Sequence, residues 1–472
     1  MKILLVMPSF NNAYWKRLGK KIGPRSEPLN LLYLATYLNN NGHKVEIVDC
    51  ETEGISIEDL EFRIQEKKYD LIGVSMVTAM YSQAVAICKL VKNINQNIYV
   101  VVGGNHATLR PIETLEKEDS IDFVTIGEAE LTFLELVDAL ENKKDYKKIK
   151  GIVYRDNNKV IKNEERERIE DLDFFPMPDR KLIKMQYYRP SVSYYKRLPA
   201  YTILTTRGCP YRCMFCATAK TGYRMHSVKR VIEEMQMLIE DYGAKEILIR
   251  DDTFTLNKAR TIELCDAIIK KGLNKKVIWD CITRANLVDY ELLKKMKEAN
   301  CCGIHFGVEG GTQKLIDAIH KDEKIETIIN AFKWCRELGI ETRAYMMLGL
   351  PTSTKEDDID TINFIKSVDP DWAQFTITTP YPGTELFDKA TEFGKFNTDI
   401  SDWDKYLSWS GYGDTELVWT SNGRSSKEIK ELQLKAMREF YYRPKVILRK
   451  IKDLNNWKAL KNYSTGAIAL FK

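Results

Sequence analysis

The sequence predicts an α/β protein: a doubly wound parallel sheet, then a full or partial β/α barrel, then a helical C-terminal region. Three observations carry that prediction. Strand and helix signals alternate over the first ~140 residues. A second alternating series with six strand signals begins at Tyr201, and it fades beyond Tyr381-Pro382-Gly383-Thr384. The expected boundaries are 1–144, 145–195 (hairpin and linker), 196–395 and 396–472. A chain of 472 residues suits about three folding units of roughly 100–200 residues.

In chain order, residues 3–7 form a strand closed by Pro8. This apolar run is too short for a signal peptide and lacks a small-residue cleavage site. Residues 30–40 have the spacing of an amphipathic helix stopped by Asn41-Gly42, and 44–48 are the next strand. Strands at 71–75, 99–102 and 123–126 continue the series. The uncharged stretch 71–88 holds Gly73, Ser75, Thr78, Ser82 and Gln83 and changes period midway. It reads as strand then helix rather than as an apolar span of ~20 residues. Ligands on such a sheet sit at the strands' carboxyl ends. Those ends carry Pro8-Ser9, Asp49, Ser75, Gly103-Gly104-Asn105-His106 and Gly127-Glu128.

Residues 151–155 and 159–161 flank Asp156-Asn157-Asn158 as a hairpin, and 163–178 read as a solvated linker. The second series places strands at 203–206, 246–250, 277–281, 303–308, 342–348 and 373–378. In a barrel of this kind the chemistry belongs on the C-terminal rim. The tail 443–472 carries Arg443, Lys445, Arg449, Lys450, Lys452, Lys458, Lys461 and Lys472 against Asp453. It reads either as a solvated helical face or as an anionic or membrane-surface contact.

Hydrophobic residues at 44% and charged residues at 29% exclude collagen-like, low-complexity and disordered classes. A net charge of +5 is too small at this length to argue for nucleic acid. With no signal peptide before the ten cysteines, reduced thiols in the cytoplasm are expected.

Three of those cysteines stand apart. The run Arg207-Gly208-Cys209-Pro210-Tyr211-Arg212-Cys213-Met214-Phe215-Cys216 has the spacing C-x3-C-x2-C directly after the first barrel strand. Three thiolates in one loop can hold three corners of a cubane iron–sulfur cluster. No fourth cysteine follows in that loop, so one iron stays open to another ligand, which points to chemistry at the cluster. Zinc sites tend toward paired short spacings with four N/S ligands, and His226 is the only histidine close in sequence. The others, Cys50, Cys88, Cys265, Cys281, Cys301, Cys302 and Cys335, lie in apolar patterns as small core residues.

This loop resembles the signature of the radical S-adenosylmethionine (radical SAM) superfamily, with Phe215 in the aromatic position before the last cysteine. The resemblance implies a [4Fe-4S] cluster on Cys209, Cys213 and Cys216 whose open iron is chelated by SAM. Reduction then yields a 5′-deoxyadenosyl radical, and an external electron donor of reductase, flavodoxin or ferredoxin type is implied. It also implies site residues at later strand ends. Asp252, in Arg250-Asp251-Asp252-Thr253-Phe254, would contact the SAM amino group, and Arg284 would pair its carboxylate bidentately. Glu309, in Phe306-Gly307-Val308-Glu309-Gly310-Gly311, would bind the ribose hydroxyls, and Leu348-Gly349-Leu350-Pro351 resembles the adenine-side turn.

A Rossmann-like domain before a TIM-like radical SAM barrel resembles the cobalamin (B12)-binding radical SAM enzymes. The residues that carry this are Pro28-Leu29-Asn30-Leu31-Leu32-Tyr33-Leu34-Ala35, Gly42-His43-Lys44-Val45-Glu46-Ile47-Val48-Asp49, Gly103-Gly104-Asn105-His106-Ala107-Thr108 and Gly127-Glu128-Ala129-Glu130. Ser75, Thr78, Gly103, Gly104, His106, Gly127 and Glu128 would then line the cobalamin site. The Asp-x-His-x-x-Gly loop that supplies an axial histidine elsewhere does not occur, so cobalamin would bind without a histidine ligand.

The function this implies is transfer of a methyl group from methylcobalamin to an unactivated carbon, or to phosphorus, after radical activation of the substrate. The alternative keeps both cofactors and cyclises, rearranges or oxidises the substrate without adding methyl. A small molecule, a lipid or a peptide all fit as substrate. No nucleic acid is expected, and the basic tail is the candidate for peripheral membrane contact.

Overall fold

The computed structural model describes residues 1–10, 25–157, 159–407 and 416–452, in two compact units divided between Ser191 and Val192. In the first, five parallel strands lie in the order β2-β1-β3-β4-β5. They are β1 (Lys2–Met7), β2 (Lys44–Asp49), β3 (Leu71–Ser75), β4 (Tyr99–Gly103) and β5 (Phe123–Thr125). Every residue of β3 is buried, as its unbroken Leu-Ile-Gly-Val run requires of a strand covered on both faces. Helices Ile57–Lys67 and Tyr81–Ile94 close one face, setting Ile64, Ile87 and Val91 against Leu4, Ile72 and Val100. The strand order reverses between β1 and β3, so a ligand crevice belongs at the carboxyl ends of those two strands.

The hairpin is not the start of a linker. β6 (Ile152–Asp156) pairs antiparallel with β5, and β7 (Lys159–Lys162) pairs with β6, giving a seven-stranded sheet. Ile152, Val153 and Tyr154 are buried, and they cover what would otherwise be an unpaired edge at β5. The expected solvated linker buries Leu172 and Phe175, and Arg180, Met185 and Tyr188 beyond it are buried as well. The first unit therefore extends to Ser191, and the expected boundary at 144 falls inside it.

In the second unit β8 (Ala200–Ile203) leads to an antiparallel pair, β9 (Thr206–Arg207) with β10 (Arg224–Met225). β11 (Glu246–Ile249), β12 (Ile278–Arg284), β13 (Cys301–Glu309), β14 (Glu341–Leu348) and β15 (Trp372–Ile377) then join β8 in a parallel six-stranded sheet. The strands run in simple sequence with β8 and β15 at the two edges, so the barrel is partial. The first strand, expected at 203–206, ends at Ile203. Beyond it the Thr205 and Thr206 amides turn to the Asp251 carboxylate, at 2.6 and 3.1 Å, instead of to the sheet.

The region after 395 is not purely helical, because β16 (Gly394–Phe396) pairs antiparallel with β17 (Trp419–Ser421). Helix Ser426–Tyr441 docks on β15 through Gln433, whose amide donates to the Phe375 carbonyl at 2.7 Å. The expected solvated or membrane-facing tail has acidic partners on the barrel's surface. Arg443, Lys445 and Arg449 converge on Asp369 at 3.1, 3.1 and 2.8 Å, and Arg449 also reaches Asp371 at 3.1 Å. Residues 453–472, with Lys458, Lys461 and Lys472, lie outside the described residues. Among the described residues no helix is long and apolar enough to cross a membrane.

Candidate active site on the barrel rim

Gly208, at φ +85°, turns the chain from β9 into the cysteine loop, where a Cβ would stand 2.6 Å from the Gly222 carbonyl oxygen. Thr221 ties the loop's return: its amide donates to the Cys209 carbonyl at 3.1 Å, and its hydroxyl accepts from the Cys209 amide at 3.0 Å. Phe215 packs against Met214, Leu315, Ile319, Leu350 and Leu386, so the aromatic position anchors the loop from below.

Each sulfur meets a side chain of the rim. Thr253 Oγ1 lies 3.6 Å from Cys209 Sγ, and Arg284 Nη1 donates to Cys213 Sγ at 3.4 Å. Thr218 Oγ1 lies 3.2 Å from Cys216 Sγ and donates to Asp252 Oδ1 at 3.3 Å. Burial pushes the Cys213 and Cys216 thiols above their ordinary range, and the charges of Lys321 and Arg284 draw Cys213 part of the way back. Among the described residues, the one His/Cys/Asp/Glu trio with ligand atoms all within 4.8 Å of one another is His43, Asp138 and Glu141. The sulfurs of Cys209, Cys213 and Cys216 do not form such a trio.

The structure brings Asp252, Arg284 and Glu309 to the same rim as the cysteines, but in different states. Asp252 is exposed beside Thr218. Its neighbour Asp251 is buried and structural, accepting from the Thr205 amide and hydroxyl, each at 2.6 Å. Arg284 is pinned, its guanidinium 3.8 Å over the Tyr211 ring. Its Nε donates to Asn286 Oδ1 at 3.2 Å and its Nη2 to the Lys321 carbonyl. Glu309 is buried at φ +68° with its carboxylate 3.4 Å from Lys321 Nζ. Deeper on the inner face, Arg250 clamps Asp280 at 2.6 and 3.2 Å, Asp280 pairs His305 at 3.2 Å, and His305 meets the Tyr345 hydroxyl at 2.9 Å. Burial alone would raise Asp280, but Arg250 and His305 outweigh it and hold the carboxyl at about 2. Lys321, Tyr211 and this inner chain were not legible in the sequence, because each is isolated in it and only the barrel assembles them.

In the first unit Ser75 is buried at the β3 end, its hydroxyl accepting from Asn30 Nδ2 at 3.3 Å. Gly103 and Gly104 have packing reasons of their own. A Cβ would stand 2.6 Å from Thr125 Oγ1 at Gly103, and 2.9 Å from the Met76 carbonyl oxygen at Gly104, where φ is +100°. Gly127, at φ +73°, is exposed beside half-buried Glu128, and its amide donates to Thr108 Oγ1 at 3.0 Å. His106 departs from the expectation of a lining residue. It is 1% exposed, its Nδ1 lies 3.2 Å from Thr78 Oγ1, and it packs edge-on against Tyr81.

Burial lowers His106 to about 4 from its ordinary 6.5. Below pH 6.5 the unfolded chain binds a proton there that the folded chain refuses, so stability is lost as pH falls from 6.5 toward 4. A loss of up to about 3 kcal/mol is expected from this one group. Denaturant unfolding of the wild type and of His106→Gln across that range checks it, the variant's profile being the flatter.

Two family models match the chain: the B12 binding domain over residues 16–137 and the radical SAM superfamily over residues 203–365. The "uncharacterized methyltransferase PH0819" of Pyrococcus horikoshii is 36% identical over 96% of this chain and 95% of that protein. The chain belongs to the cobalamin-binding radical SAM enzymes. An anaerobic magnesium-protoporphyrin IX monomethyl ester cyclase of Rubrivivax gelatinosus is 28% identical over 86% of this chain and 72% of its own length. Among solved structures, the radical SAM methyltransferase TsrM of Kitasatospora setae aligns with a TM-score of 0.73 at 18% identity, over 94% of this chain and 89% of that one. That likeness speaks for the fold. For this radical SAM enzyme the cofactors are a [4Fe-4S] cluster, SAM and cobalamin, and it requires a source of electrons.

Proposed function

We propose that this radical SAM enzyme is a methyltransferase that uses SAM and cobalamin to methylate an unactivated carbon, or a phosphorus, of a small molecule, lipid or peptide. The observation that carries this is the loop of three thiols, each met by a rim side chain, in a chain matched over nearly its whole length by a relative named as a methyltransferase. When bound, the cluster with SAM supplies a carbon-centred radical, and cobalamin supplies the methyl group.

The residues divide the remaining work. Cys209, Cys213 and Cys216 hold the cluster. Asp252, exposed beside Cys216 through Thr218, is free to turn to the SAM amino group. Glu309 would meet the ribose, and Arg284 is held at the level of the cluster by Tyr211 and Asn286. In the first unit Ser75, Thr78, Gly103, Gly104, Gly127 and Glu128 shape the cobalamin crevice. His106 is bonded to Thr78 and buried, which fits cobalamin bound without a histidine ligand.

The likeness to the Rubrivivax cyclase favours a second reading, cyclisation or oxidation without methyl transfer. SAM carrying a 13CD3 methyl separates the two. A methyltransferase delivers a product heavier by the labelled methyl group, and a product without label sinks methyl transfer while leaving the radical chemistry intact. Metal analysis after anaerobic production with added cobalamin is expected to show about four irons and one cobalt per chain. Iron without cobalt would remove cobalamin from the proposal.

A further inference from the structure

The short segment after helix Gln313–Ala318 clasps the cysteine loop at three points. The Ile319 carbonyl accepts from the Met214 amide at 3.1 Å, and the Asp322 carboxylate takes Arg212 bidentately at 2.9 and 3.0 Å. The Lys321 carbonyl accepts from the same Arg284 guanidinium that donates to Cys213 Sγ. Lys321 itself stands between two residues in left-handed backbone, His320 at φ +52° and Asp322 at φ +53°. Neither is glycine, so the backbone is strained on both sides of the lysine, and such strain persists only where the surroundings enforce it.

That conformation turns a charged side chain inward. Lys321 is 3% exposed and Glu323 4% exposed. The ammonium donates a long hydrogen bond to Glu309 Oε1 at 3.4 Å and stands 3.7 Å from Glu323 Oε2, beyond hydrogen-bond reach. Glu323 Oε1 accepts from the Asn286 amide at 2.8 Å, but its Oε2 is buried with no hydrogen-bond partner. Lys321 is therefore hydrogen-bonded to Glu309 and faces Glu323 through charge alone. Both charges are shielded from water, where low dielectric makes each one felt strongly; the lysine's acts directly on Cys213, and the glutamate stands 3.7 Å behind the lysine.

We propose that Lys321 and Glu323 are positioning residues that set, by their opposite buried charges, how readily the cluster on Cys209, Cys213 and Cys216 accepts an electron. Reduction adds negative charge, which the lysine favours and the glutamate opposes. Cluster potentials respond to local charge and burial in this way. The inference rests on the cluster reading of the cysteine loop and concerns the chain's own side chains toward it.

The test is an EPR-monitored redox titration of the full-length, anaerobically reconstituted enzyme. Glu323→Gln removes one negative charge and is expected to raise the ratio of reduced to oxidised cluster about tenfold at a fixed potential, about 59 mV for a one-electron couple. Adding Lys321→Met to that variant restores the original net charge and is expected to take the rise back, which a merely structural disturbance would not do. An unmoved potential in Glu323→Gln, or a double variant that stays raised, overturns the inference. Should the double variant fail to fold, Lys321→Arg keeps the charge and must hold the wild-type potential; a shift there overturns it equally. A wild-type protein that binds no iron would overturn the cluster reading as well, so the two failures are distinguishable.

Discussion

Cys213→Ala is expected to leave the enzyme without a stable four-iron cluster and to lower SAM cleavage below about a thousandth of the wild-type rate, the scale on which units acting together fail. On the proposed assignment these three thiols are the loop's contribution to the cluster, so losing one would leave two corners held. Cys213 is the most telling of the three because its sulfur is also the acceptor for Arg284. Its removal leaves the Arg284 Nη1 without that acceptor, while Tyr211, Asn286 and Lys321 still hold the guanidinium. Iron per chain and 5′-deoxyadenosine formed under reducing conditions are the measurements. Cys335→Ala is the control: that thiol is fully buried among apolar residues of helix Ile325–Glu337, and the variant is expected to keep its iron. Full iron retention in Cys213→Ala would contradict the assignment of the loop.

The cysteine loop was legible because its chemistry is local: three ligands within one turn of chain need no tertiary contact to be recognised. The parallel strands were legible for a related reason, since runs such as Leu71-Ile72-Gly73-Val74 must be covered on both faces. What depends on partners far away in sequence was not. His320-Lys321-Asp322-Glu323 has the composition of a solvated loop, yet its lysine and its glutamate are buried. Residues 151–161 have an ordinary hairpin pattern, and nothing local states that β5 needs an antiparallel neighbour. Gly103 and Gly104 suggested room for a ligand, but each is already required by Thr125 or Met76. The basic tail read as a surface feature until Asp369 and Asp371 supplied its counter-charges.

The pair Asp251-Asp252 shows the same division within two residues, and its first member supports the largest stability effect we expect. The Asp251 carboxylate is 1% exposed and accepts from the Thr205 amide, the Thr205 hydroxyl and the Thr206 amide at 2.6, 2.6 and 3.1 Å. Arg260 braces the other side of that turn, donating to the Thr205 carbonyl at 3.1 Å and to the His226 carbonyl at 2.9 Å. The turn matters because it takes the chain out of β8 and into β9, and β9 delivers Gly208 and Cys209. Asp251→Ala would strand two amides and a hydroxyl in the interior and leave Arg260 without its nearby counter-charge. Breaking a buried charged network from one side costs about 3–5 kcal/mol. Denaturant unfolding followed by a probe in the second unit should show a loss of that size, together with incomplete iron loading. Asp252→Ala, one residue along, removes an exposed carboxylate that accepts from the Thr218 hydroxyl and the Gly208 amide, so its stability should move by no more than about 1 kcal/mol. If the two variants unfold alike, the carboxylate of Asp251 is not what holds the approach to the cysteine loop.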